Sequence, residues 1–492
     1  MFKCFKSLTI LIMLGFVLPA CTNKKTTEIG PEPIPPPLPP GTIPDVPPAA
    51  KDRGDGFTRF DVFETQILAD LVSIPEQERL DSRYLILCDR SNESDPLMQD
   101  HIAASHKIIN QLSVRRRKVN TVGIGNDDCI RRIDLTDYGI TRQQWRLIED
   151  GDEFQLESNT ERGLLIKQLT QARRPWMHLS NFALISYSRG VVIDGFETNR
   201  LIYYEILEMP ATIQELYVQL GVDRQANYDQ SDPGLIYMGT CDSPIALEKC
   251  RSIERMETDD GAIYLTFDIS LNSQENLKVN PFPPESRSLR VFRAEAHEAI
   301  FTLPNGLNGY VLAGAATGEL ESFAPTNIVQ NNRSGSLDPT INIARCMQCH
   351  VKMVEDNEDE LRRHILGNQN FNIDDRRFAE DVIRPDLARL ALFNQDTEQY
   401  CEEIEEIGNS CADIDTQTQL TDDFQKQWNL QQLGAYFFLD DDDMIACIRS
   451  SEDANQEIGD LAVGGTASLV TIKRIKQDLI DDCALFEDRR GE

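Results

Sequence analysis

The chain has 492 residues, 26% charged and 40% apolar, with 81 acidic against 49 basic side chains and a formal charge of −32. That length supports two or more domains with packed cores. The acidic balance argues against a nucleic-acid backbone as partner, because phosphate binding needs a basic face.

The first twenty residues read as a targeting segment. Lys3 and Lys6 supply the positive start and SLTILIMLGFVL the apolar middle. LPAC, ending at Cys21, resembles the bacterial lipobox, in which cleavage leaves the cysteine as a lipidated N-terminus. An ordinary secretory signal cut nearby is the alternative. Nothing downstream is long and apolar enough to cross a bilayer. The expectation is therefore a protein of the bacterial cell envelope, at the periplasmic or outer-membrane face, held to the membrane by acyl chains on Cys21. Residues 21–55 form the tether. Residues 31–48, PEPIPPPLPPGTIPDVPP, hold ten of the 24 prolines. Fixed φ and missing N–H groups exclude helix and sheet there. The extended segment reaches on the order of 50 Å and stands the body off the membrane.

Residues 56–338 mix the two periodicities. DVFETQILADLVSIP and QDHIAASHKIINQLSV space their apolar residues as helices do. RRIDLTDYG alternates like a short strand, and TRQQWRLIED follows as a helix. FETNRLIYYEILEMP predicts a helix ended by Pro210, and TIQELYVQLGV another. GLIYMGT and AIYLTFDIS have strand character. HEAIFTLPNGLNGYVLAG is the clearest hairpin, with turn chemistry in Pro304, Asn305 and Gly306. From residue 339 to 492 the pattern is helical: DELRRHILGN, RPDLARLALF, DDFQKQWNLQQLGAYFFL and ASLVTIKRIKQDLI. The fold class is α+β, a mixed α/β body with β-hairpins followed by a mainly helical C-terminal domain.

Export places the cysteines in an oxidising compartment. Cys4 leaves with the signal. Eight cysteines remain apart from Cys21, Cys346 and Cys349. Cys241 with Cys250 and Cys401 with Cys411 are natural local pairs, and Cys88 with Cys129 and Cys447 with Cys483 are the favoured remainder.

RCMQCHVKM carries the chemistry. Cys346, Cys349 and His350 match the covalent haem pattern C-x-x-C-H. On a helix, positions i and i+3 share a face, so both sulfurs can bond the vinyl groups of one haem. His350 then offers an imidazole to the iron. Chance alone yields roughly 0.004 such matches at this chain's composition. A zinc site would need further ligands, and no second C-x-x-C exists. A redox thiol pair would open a helix within a βαβ unit, which LDPTINIAR does not suggest.

YLIL, RIDLTDYG with Trp145, EAIFTLPNGLNGYVLA, APTNIV and CMQCH occupy residues 84–87, 132–139, 298–313, 324–329 and 346–350. With these segments the chain resembles the exported bacterial cytochrome c domain-containing proteins, many of them lipoproteins, over roughly residues 80–400. The resemblance implies a cytochrome c-like C-terminal domain and one covalently attached haem c. Cys346 and Cys349 carry the thioethers, and His350 is the axial iron ligand. It further implies electron transfer with a redox partner protein that the sequence does not name.

The sixth iron position is open on this reading. His364, on a helix fourteen residues downstream, is the favoured ligand, with Met444, His297 and a vacant position as alternatives. Weaker signals have plain explanations. LDDDDM reads as a solvated acidic run rather than a calcium loop, and VRRRKVN as a solvated basic loop. GIGNDD is too short for a dinucleotide fingerprint. His101 and His106 read as helix residues, not metal ligands. No hydrolase or nucleotide-binding motif is present. Three functions stay in play: an electron carrier, a haem enzyme or sensor with an open iron position for peroxide or a gas, and a non-redox envelope interaction protein.

Overall fold

The protein is seen in a computed structural model that describes residues 35–39, 60–87, 96–125, 128–152, 160–193, 196–241, 249–270, 276–286, 288–324, 343–354, 358–411, 427–437 and 441–482, with 417, 420 and 439. The targeting segment and Cys21 lie outside them. From Ile34 onward the chain forms one compact unit. Among the described residues no helix is long and apolar enough to cross a membrane.

Four short strands, β1 (Ser82–Ile86), β2 (Val122–Ile124), β3 (Ile130–Asp134) and β4 (Trp176–His178), form a sheet in the order β2-β3-β1-β4. β1 runs antiparallel to β3 and parallel to β4. Every residue of β1 is buried, as expected of a central strand covered on both faces. Phe63, on the Phe60–Ser73 helix, meets Trp176 of β4 edge-on at 5.7 Å. The predicted helix over TRQQWRLIED is present as Arg142–Gly151, started by a capping box between Thr141 and Gln144.

β5 (Gly190–Ile193) and β6 (Phe196–Leu201) form a hairpin of their own. This corrects the helix expected over FETNRLIYYEILEMP, whose first half is strand and whose helix is only Ile202–Ile206. Ile193 pairs with Phe196, and the sequence between them reads Asp-Gly at positions outside the described residues. Asp-Gly is a strong hairpin signal that outweighs helical spacing.

The larger sheet is an antiparallel meander. β7 (Ile236–Thr240), β8 (Lys249–Thr258), β9 (Gly261–Ser270), β10 (Ala296–Thr302), β11 (Asn308–Gly314) and β12 (Leu320–Glu321) lie side by side in chain order. The expected LPNGL hairpin joins β10 to β11. Leu303 N donates to Leu307 O at 2.7 Å, and Gly306 takes φ +83°, a left-handed conformation suited to glycine.

Register defines two faces of this sheet, because directly opposed residues point the same way. The first face carries Arg251, Asp268 and Ala296 abreast, with Glu298 and Leu312. The second carries Ser252, Phe267 and His297. The long Asp386–Glu406 helix covers the first face: Arg255 of β8 pairs with its Asp396 at 2.7 Å. The Arg224–Gln230, Leu361–Gly367 and Ile373–Val382 helices cover the second. There Gly239 makes room for Leu361, and Tyr228 lies 6.3 Å from Tyr237 and 6.0 Å from Phe378.

The expected boundary between residues 338 and 339 does not divide the hydrophobic core. One cluster runs from Phe63 through both sheets to Ile343, Ile365, Phe393 and Ile407. A second gathers Trp428, Leu433, Met444, Ile448, Ile472 and Leu479 from the helices after residue 427. The helices between residues 343 and 406 spend their apolar faces on the sheet, so they belong to the body. The second cluster meets the body through Leu184 and through His178, whose ring stacks on Tyr436 at 4.5 Å.

Part of the predicted tether is also not free. Gln171 Nε2 donates to Pro35 O at 3.3 Å, and Leu38 packs against the main core. Proline lacks a donor but keeps its carbonyl acceptor, so an extended segment can still dock.

Cys241–Cys250 and Cys401–Cys411 are disulfides, as the spacing predicts. Cys129 and Cys447 are also disulfide-bonded. Their expected partners, Cys88 and Cys483, lie outside the described residues.

Candidate haem-attachment site

Cys346 and Cys349 occupy the last turn of the Ile343–Cys349 helix, and His350 follows its end. The helix packs on β11 and on the Leu179–Ser188 helix. Ile343 and Met347 are buried and anchor it, while Gln417 Nε2 donates to Met347 Sδ at 3.0 Å. Neither Cys346 nor Cys349 is in a disulfide, whereas the other six described cysteines all are. Their separation of three residues places both sulfurs on one side of the helix.

His350 is oriented by its own chain. Its backbone N–H donates to Cys346 O at 3.0 Å, and its Nδ1 bonds Met353 O at 2.9 Å. Met353 is 3% exposed and takes φ +78°. A buried non-glycine residue in the left-handed region costs on the order of 1–2 kcal/mol. The packing around Met353 supports that cost and aims its carbonyl at the imidazole. Thr397 Oγ1 of the long helix donates to Lys352 O at 3.3 Å, which fixes the same turn to the body.

The sulfurs face a charged patch on the first sheet face. Arg251 Nε reaches Asp268 Oδ1 at 2.7 Å, and its Nη2 reaches Glu298 Oε2 at 3.4 Å. Burial pushes the Cys346 thiol well above its usual range, and the Glu298 carboxylate and Cys349 push it the same way. Burial opposes the Arg251 charge, but Asp268 and Glu298 outweigh it and hold the guanidinium ionised. Tyr203 and Tyr204 close the edge of β11 beside this patch. Tyr203 Oη accepts from Tyr310 N, and Tyr204 Oη accepts from Leu312 N, each at 3.1 Å. Tyr204 Oη also donates to Glu321 O at 2.8 Å. Arg251, Asp268, Glu298 and the two tyrosines were not singled out from sequence. Their signal is a charged residue at an inward position of an apolar strand, as in AHEAIFT.

The alternatives for a sixth ligand lie elsewhere. His364 is on the helix that covers the second face. Its Nε2 bonds Lys278 O at 2.7 Å and its ring meets Phe371 edge-on at 5.5 Å. His297 is also on the second face, edge-on to Phe267 at 4.9 Å, and burial with the Arg224 charge lowers it to about 4. Met444 is fully buried in the second core. None of the three shares the sheet face of Cys346 and Cys349.

Among the described residues no three His, Cys, Asp or Glu side chains converge as a metal-chelating set. Asp441, Asp442 and Asp443 form the first turn of the Asp441–Ser450 helix, where the helix dipole favours them; Asp440 lies outside the described residues. The RRRK run is partly spent on internal ion pairs: Arg116 with Asp260 at 2.6 Å, and Lys118 with Glu403 and Glu406. His106 is buried, with Nδ1 at 3.0 Å from Ile407 O, and burial lowers its pKa.

No family model, curated protein or solved structure matches the chain.

Proposed function

We propose that the chain is a c-type cytochrome that carries one haem c, bonded through thioethers to Cys346 and Cys349 and ligated through iron by His350. Such a group supplies one reversible electron at the iron. The carrying observation is the pair of cysteines on one helical face, left out of disulfides beside six that are bonded, with an oriented imidazole next in sequence. With Nδ1 turned to Met353 O, Nε2 is the nitrogen that would be left for the iron, and a donated Nδ1–H would raise its basicity as a ligand. On this reading the cytochrome c-like part is residues 339–492, of which the helices between 343 and 406 share the core of the sheet. Electron transfer in the bacterial envelope, with the body held to the membrane by lipid on Cys21 and an unidentified redox partner, completes it.

A second reading has an open iron position, as in a peroxide-reducing enzyme or a gas sensor. It is favoured by the separation of His364, His297 and Met444 from the sheet face of Cys346. The full-length protein is to be expressed with c-type maturation machinery and exported. Haem staining on a denaturing gel is expected in the wild type and lost in Cys346→Ser/Cys349→Ser. A colourless, unstained wild type removes the haem proposal. A shifted Soret band under carbon monoxide marks the open position, and an unchanged band marks a six-coordinate carrier.

A further inference from the structure

The first sheet face places one arginine and two carboxylates beside the cysteine helix. Arg251 bonds Asp268 through Nε at 2.7 Å and Nη2 at 3.3 Å, and lies 3.4 Å from Glu298. Asp268 is fully buried, and Glu298 has 15% of its side chain exposed. Glu298 Oε1 is buried and, among the described residues, has no hydrogen-bond partner. One positive and two negative charges leave this trio at −1. Register fixes its position: Glu298 lies opposite Leu312 on β11, and β11 is the strand on which the Ile343–Cys349 helix packs.

We propose that the Arg251–Asp268–Glu298 trio is the electrostatic element that sets the potential of the haem held by Cys346 and Cys349, keeping it low through its net negative charge. This rests on the haem reading above. A haem held by both sulfurs would sit within the field of this patch, because the cysteine helix packs on β11 beside it and Arg251 and Glu298 already act on the sulfurs. Ferric haem carries one more positive charge than ferrous haem. A nearby buried negative charge stabilises the ferric form and lowers the potential. The carboxylate already acts on the sulfur, since Glu298 raises the Cys346 thiol after burial, the larger cause. Glu298 and Arg251 are positioning residues in this sense: they touch neither iron nor electron partner, and they act through the field.

Charge predicts a change of sign that looser packing does not. Removing the Glu298 charge, in Glu298→Gln, takes the trio to neutral and raises the midpoint potential. Removing the Arg251 charge, in Arg251→Gln, takes it to −2 and lowers the potential. At an effective dielectric near 20 and a separation on the order of 10 Å, one unit charge changes the oxidised-to-reduced ratio at fixed potential by roughly tenfold. Asp268→Asn, a second neutralisation, is expected to follow Glu298→Gln and serves where Arg251→Gln fails to fold.

The test is optical redox titration of the full-length holoprotein and its variants. Opposite shifts for Glu298→Gln and Arg251→Gln, or matching upward shifts for the two neutralisations, support the assignment. Shifts in one direction for loss of either charge sign, or none above twofold, overturn it. A second readout does not need the haem. In the full-length chain before haem attachment, Cys346 alkylation at pH 8 is expected to run several-fold faster in Glu298→Gln than in wild type; equal rates overturn the field at the sulfur. A wild type that never takes up haem defeats the haem reading and this proposal with it, whereas a haem-loaded wild type whose variants fail the sign test defeats the proposal alone.

Discussion

The two faces of the six-stranded sheet bury charge in different company. On the second face Arg224 forks onto Glu254 at 2.8–3.0 Å and reaches Glu285 at 2.7 Å. Its guanidinium is walled by Tyr217 at 5.3 Å and Phe267 at 5.6 Å. Glu254 is 1% exposed and burial raises its pKa, although Arg224 pulls the other way. On the first face Arg251 sits in a similar fork, but a helix with two unbridged cysteines lies over it instead of aromatic rings. A buried arginine among carboxylates is therefore not by itself a sign of function. What distinguishes the first face is the pair of cysteines outside disulfides beside the charges.

That contrast can be broken most severely at Arg224. Arg224→Met leaves Glu254 and Glu285 buried with no cation between them, and stability should fall by about 3–5 kcal/mol. Denaturant unfolding followed by circular dichroism measures it, and the haem spectrum of the remaining folded protein should match wild type. A loss below 1 kcal/mol would show that the second-face cluster is solvated rather than structural.

Acid sharpens the same contrast. His297 on the second face has its pKa lowered to about 4 by burial and by Arg224. The neutral ring binds protons more weakly when folded than when unfolded, where its pKa is about 6.5. Stability from this group is complete above pH 6.5 and is lost as pH falls toward 4, by about 3 kcal/mol. His297→Phe should flatten that part of the stability–pH curve. Equal slopes in variant and wild type between pH 6.5 and 4 would remove His297 as the source.

The smallest effect is expected at His364. Its helix covers the second face, so His364→Ala should leave the Soret and α bands unmoved and cost under about 0.5 kcal/mol in unfolding. A spectral change would bring His364 back as an iron ligand and would require the helix to leave the sheet.

How far the sequence could be read follows from this geometry. The CMQCH motif was legible because its chemistry is local: three residues within one turn. The LPNGL hairpin was legible for the same reason. The strand in FETNRL was not, since helical spacing in the residues after it masked the Asp-Gly signal before it. His364 looked near to His350 because only fourteen residues separate them. Distance along the chain does not say which side of a sheet a helix covers, and here the two helices lie on opposite sides. Glu298 and Arg251 escaped notice because both faces of β8 and β10 are covered, so the alternation that marks an outward charge is absent. The boundary near residue 338 followed a change in periodicity, whereas the hydrophobic core continues to Ile407.

The phenols of Tyr203 and Tyr204 have a consequence for assembly. Tyr203 takes the N–H of Tyr310, a β11 position that β12 does not pair with, and Tyr204 bridges the Leu312 N–H to the Glu321 carbonyl of β12. A meander of this kind would otherwise offer a ragged margin on which a neighbouring polypeptide could crystallise strand by strand. Two hydroxyls carried on a single helical turn stopper that margin, so a second copy finds fewer open N–H groups there on which to add a strand.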